Sequence, residues 1–166
     1  IFANYRFNNI NILYNLISTL ITPYYSLSIV YTIQRVYHLF VGVYFATKAT
    51  MVASDFVGIV SAKDDPEKMQ KTGWNVIKAE NINAPIFTDF PMTLECRILR
   101  KIDESDEGYY IVAEIVNILV DESYIGEDGK PDIEKMQLIT YDPVHHGYVE
   151  LGKRVGNAFS DGKKLK

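Results

Sequence analysis

Two stretches near the middle of the chain restrict its fold more than any others. In MTLECRILRKI, Met92, Leu94, Cys96 and Ile98 alternate with Thr93, Glu95 and Arg97, the period of two that lays one side of a strand on a core and turns the other toward water. The acidic turn DESDEG follows, and after it GYYIVAEIVNILV is long and rich in β-branched residues, as a well-packed strand is. Together they predict an antiparallel hairpin, with the first strand half-buried. Twelve tyrosines and an aromatic content of 13% favour strands over helices elsewhere too. With 166 residues there is room for one domain with a real core, and not for two.

Around this hairpin the punctuation is regular. Val52, Phe56 and Ile59 or Val60 recur at helical spacing in TMVASDFVGIVSA, which predicts a helix laying that face on the core. A second helix is expected from Asp64 or Asp65, with Pro66 at its first position and Gly73 closing it. Pro85 and Pro91 make NINAPIFTDFP an extended connector. Beyond the polar turn GEDGKPD, Asp132 caps a short helical piece, DIEKMQ, and two short strands, LITY and YVEL, flank DPVHHG.

The first 49 residues are unlike the rest. Residues 1–50 hold no aspartate or glutamate and one glycine, so all 21 carboxylates and nine of the ten glycines fall in residues 51–166. The chain therefore divides into an atypical N-terminal segment, 1–49, and a domain, 50–166. A membrane span over residues 10–33 has the length but carries Asn11, Asn15, Ser18, Thr19, Thr22 and Pro23. Of a signal peptide only a basic residue, Arg6, is present. β-rich structure, or a substitute for the usual start of the domain, is the reading preferred.

The chemistry that the side chains can support is limited. A net charge of −4 gives no general attraction to nucleic acid or acidic membranes. The single cysteine, Cys96, lies in an apolar run, where a buried inert thiol is expected and a disulfide framework is not, consistent with a reducing, cytoplasmic setting. Aligning Gly129 with the sixth position of a calcium loop puts Tyr124 first and Lys135 twelfth, which rules that loop out. His145 and His146 point to opposite sides of an extended segment, and with His38 the only other histidine a metal site is not expected. Glu104, Asp106 and Glu107 fall in an open turn that offers nothing to shift a pKa. No nucleophile elbow, P-loop or dinucleotide fingerprint is present. Where no side chain can do difficult chemistry, a bound cofactor can.

Five stretches, in order, carry a resemblance: DFVGIVSAKDDPEKMQKTGW (55–74), FPMTLECRI (90–98), YYIVAEIV (109–116), EDGKPDIEKMQLITY (127–141) and YVELGKRVGNAFSDGKK (148–164). Together they resemble the flavin reductase-like FMN-binding split-barrel family, and its flavoredoxin-type members in particular. The resemblance runs from about residue 50 to the end. It implies a mainly β (α+β) fold, a six-stranded split barrel with short peripheral helices, usually a homodimer holding FMN near the subunit interface. It also implies flavin reduction by NAD(P)H, or electron transfer through FMN to a redox partner. The family's flavin-adjacent lysine in a K-[ST]-G segment matches Lys71, and an aromatic residue near Tyr141 is similarly placed. From the residues alone, Lys71 reads first as a helix-terminal cation complementing the dipole and Tyr141 as a packed aromatic.

Two departures accompany the resemblance. Residues 1–49 do not show the signatures of the family's early strands or of the Thr or Ser segment that grips the FMN phosphate, and Gly108 and Tyr109 stand where a histidine is common. Either residues 1–49 rebuild those strands with other residues, or the barrel is incomplete at its N-terminus. A non-catalytic interaction module that keeps the second half of the barrel is the rival to an FMN-dependent oxidoreductase.

Overall fold

In the computed structural model, residues 2–4, 28–30, 40–105 and 108–166 are described. The span weighed over residues 10–33, apart from 28–30, lies outside them, as do His38, Asp106 and Glu107. The strands are β1 (Phe2–Asn4), β2 (Ser28–Val30), β3 (Phe40–Phe45), β4 (Val76–Lys78), β5 (Pro85–Phe87), β6 (Met92–Ser105), β7 (Gly108–Asp121), β8 (Ile139–Asp142) and β9 (Gly147–Glu150). Two helices, α1 (Met51–Ile59) and α2 (Lys68–Lys71), sit between β3 and β4. The architecture is mainly β with short helices at its edge.

An antiparallel sheet of order β1-β7-β6-β3-β2 forms the body of the molecule. Its centre is the expected hairpin, β6 and β7, each 14 residues long. Three strands from the first 49 residues join it: β1 pairs with β7, β3 with β6, and β2 with β3. The hairpins β4–β5 and β8–β9 are separate two-stranded ribbons. The second is hung from the end of β3, since Ile139 N–H donates to the Ala46 carbonyl at 3.1 Å and Thr47 bridges Leu138. One face of the large sheet, with Val41, Met92, Leu94, Cys96, Ile118 and Val120, closes over Met136 and Leu138 as the main core.

Four expectations are corrected. β6 is not half-buried at its start: Thr93 and Glu95, on the face opposite the main core, are both 0% exposed, because β5 and the segment at Ala79–Ile86 pack over that face. In α1 the inward residues are Ser54 and Val57, whereas Val52 and Ile59 stand 72% and 74% exposed. The apolar spacing was there, but tertiary docking set the phase. The second helix begins at Lys68, with Glu67 at its cap, because the Asp65 carboxylate is used by Glu67 N–H at 3.2 Å and by Lys71. Finally, the Pro85 segment is a strand, β5, paired with β4, Pro85 standing at its first position, where a missing N–H is tolerated.

Candidate functional site

Lys71 ends α2, and Gly73, at φ +70°, closes the turn in the left-handed conformation that glycine adopts without strain. The helix is held from both sides. Lys68 Nζ donates to the carbonyls of Val57 and Val60 at 3.0 and 2.7 Å, joining it to the C-terminal end of α1. Met69 and Trp74 pack on a cluster of Tyr44, Ala46, Phe87 and Phe90, with the Trp74 and Phe90 rings 4.9 Å apart and edge-on. The Lys71 ammonium projects outward, 55% exposed, and pairs with Asp65 at 2.5 Å. That hydrogen bond holds the Asp65 carboxyl below its usual range.

Tyr141 lies on β8, its hydroxyl 2.6 Å from His146 Nδ1 and its ring 5.9 Å from that of Tyr148. Tyr148 in turn donates to Asp55 on α1. Burial, then the bond to the Asp55 carboxylate, pushes the Tyr148 phenol up to about 12. His145 instead shares a 2.7 Å bond with Asp142, so the two histidines have different partners. Ile139 of β8 touches the same aromatic cluster as Met69 of α2. The elements carrying Lys71 and Tyr141 thus border one apolar wall, while the two side chains keep separate partners.

Glu95 is the residue that sequence reasoning passed over. Across β3, β6 and β7, Gly42, Glu95 and Asn117 stand in register. Gly42 leaves room for the Tyr44 ring, since a Cβ there would come within 2.5 Å of the Tyr44 hydroxyl. That hydroxyl donates to the Pro85 carbonyl and ties the sheet to β5. Burial, and then the charge of Glu95, pushes the Tyr44 phenol up. Glu95 Oε2 accepts from Asn81 Nδ2 at 2.8 Å and Asn117 Nδ2 at 2.7 Å, and its buried Oε1 has no hydrogen-bond partner among the described residues. Glu95 also lines a cleft of about 600 Å³ together with Lys78, Ile86 and Leu119, a volume suited to a small molecule. A glutamate in the middle of an apolar strand was the available signal. Cys96, beside it, faces the main core, where burial pushes its thiol up to about 12. Among the described residues no three His, Cys, Asp or Glu side chains are grouped to hold a metal ion.

The fold has clear relatives among solved structures. Flavoredoxin of Desulfovibrio vulgaris (Miyazaki F) superposes with a TM-score of 0.68 at 28% identity, covering 75% of this chain and 66% of that one. Flavoredoxin from Methanosarcina acetivorans gives 0.68 at 27% identity, covering 78% and 67%. An FMN-binding domain of a flavin reductase-like enzyme from Shewanella baltica OS155 shares the fold, with a TM-score of 0.57 at 16% identity, covering 72% and 63%. The match spans about two thirds of the length of the flavoredoxins. No protein-family model matches the sequence, and the search of curated proteins finds no match. The molecule has the mainly β, split-barrel fold of these structures. Among these structures the two flavoredoxins are similar in sequence as well as in fold, at 28% and 27% identity.

FMN, which the Shewanella baltica domain is named as binding, would need a cation for its phosphate and an apolar neighbour for its ring. Lys71 offers an ammonium on a helix pinned at both ends, and its exposed pairing with Asp65 is of the kind that exchanges at little free-energy cost. Trp74, three residues along and partly buried, packs on the buried Tyr44–Phe87–Phe90 cluster.

Proposed function

We propose that the chain is an FMN-dependent oxidoreductase that accepts hydride from NAD(P)H and passes electrons on. One observation carries this reading: the flavoredoxin likeness extends over 75% of the chain at 28% identity. FMN, when bound, supplies the redox-active ring. The chain's own part is to bind and orient. Lys71 donates to a phosphate or ring oxygen, Asp65 holds the ammonium in place until the ligand arrives, and Tyr141 forms part of the wall, its hydroxyl set by His146. The reading includes a homodimer, supported by the apolar residues Val52 and Ile59 that α1 turns outward. A cytoplasmic setting belongs to the same proposal. It rests on the lone buried thiol. Among the described residues no helix is long and apolar enough to cross a membrane.

Anaerobic mixing of the FMN-loaded protein with NADH or NADPH tests the hydride step, and the expected result is bleaching of the flavin's visible absorption. Bound flavin that neither nicotinamide bleaches would remove the reductase role while leaving flavin binding intact. The second reading, a non-catalytic interaction module, is favoured by the absence of a phosphate-gripping Thr or Ser signature in residues 1–49. Saturable FMN binding argues against it.

A further inference from the structure

The cleft beside Glu95 is lined by neither Lys71 nor Tyr141, and the flavin reading leaves it without a role. Three observations define what it can hold. First, Glu95 is fully buried, yet among the described residues the two groups that reach it, Asn81 and Asn117, are neutral amides and both serve Oε2. A buried carboxylate oxygen without a donor is costly, and a charge without a counter-charge more so. Second, among the described residues the charged side chains lining the cleft are Glu80, Glu95 and Asp121 against Lys78. The lining is therefore acidic on balance and repels phosphates. Third, Ile77, Ile86 and Leu119 form an apolar wall that can cover a short hydrocarbon body.

We infer that this cleft is a second binding site, for a small organic cation bearing N–H donors, an alkylguanidinium or alkylammonium ion whose head group donates to Glu95 Oε1. A guanidinium or ammonium group supplies both of the missing elements, the donor and the counter-charge. A neutral amide supplies only the first, and a quaternary ammonium only the second. Lys78, exposed on the rim, opposes the cation and limits its affinity, so removing that charge strengthens binding.

The test is calorimetric titration of the full chain with n-butylguanidinium, and with tetramethylammonium as a cation that has no N–H. Saturable binding of one n-butylguanidinium per chain is expected, with no detectable binding of tetramethylammonium. Glu95→Gln is expected to weaken the n-butylguanidinium affinity at least tenfold. Because a substitution in a buried sheet can disturb folding, Lys78→Glu, at an exposed position, is the companion variant, and it is expected to tighten binding about threefold or more. Absence of saturable binding to the unaltered chain, equal binding of tetramethylammonium, or unchanged affinity in either variant would overturn the inference. The probe is redox-inert and the titration needs no FMN, so its outcome is independent of the flavin reading.

Discussion

Glu95 keeps a carboxylate in a part of the sheet that is otherwise sealed by Thr93, Tyr44 and Ile86. Its replacement by glutamine retains an oxygen for Asn81 and Asn117 and removes a charge that no cation among the described residues balances, so Glu95→Gln is expected to stabilise the fold by about 1 kcal/mol or more. Chemical denaturation of the two proteins measures this, and a less stable variant would mean that the carboxylate is compensated in the protein. One residue along, Cys96 has a thiol pushed up from 9.0 to about 12 by burial first and the Glu95 charge second. The folded protein holds that proton while the unfolded chain gives it up above about pH 9, so folding stability is complete below pH 9 and declines as pH rises toward 12. Tyr148, raised from 10.0 to about 12, acts in the same direction over the upper part of that window. Unfolding midpoints at neutral pH and at about pH 10 check the sign, and Cys96→Ala is expected to flatten the decline. A midpoint that rises with pH would contradict the assignment.

At the level of elements, what could be read from the sequence was what depends on local pattern. The β6–β7 hairpin followed from alternation and β-branching, and Gly73 was identified as a helix stop because left-handed backbone favours glycine. The failures share a cause. The phase of α1, the burial of Thr93 and Glu95, and the pairing of β4 with β5 are all decided by which other element lies on a given face. A single strand's alternation reports two faces and cannot report that both are covered. Lys68 shows the same dependence, since its partners, the Val57 and Val60 carbonyls, belong to another helix. Lys68→Met is expected to lower stability by about 1 kcal/mol, by uncapping the last turn of α1. Hydrogen exchange at the end of α1 is expected to accelerate in the same variant. Equal exchange in the two proteins would show that the contact does not hold the helix end.

Seen as a whole molecule, the chain has an N-terminal stretch without carboxylates and a remainder that holds all of them, and the large sheet draws strands from both. Edge pairing of β1 on β7 and β2 on β3 covers strand edges that would otherwise invite association. Of the candidate site, the sequence supplied Lys71 and Tyr141 through resemblance, and the structure supplied their setting. Asp65 steadies the first, His146 orients the second, and an aromatic cluster is shared between their elements. The Glu95 cleft was not legible, because its parts come from β4, the 79–84 segment, β6 and β7. The central claim, that this split barrel binds flavin beside Lys71, is tested most directly by titrating FMN into the purified chain and into Lys71→Met while following flavin fluorescence. The account predicts saturable binding of one FMN per chain in the low-micromolar range or tighter, about −8 kcal/mol, weakened at least tenfold in Lys71→Met with an unchanged unfolding midpoint. Fluorescence that never saturates, or equal affinity in the two proteins, would contradict it.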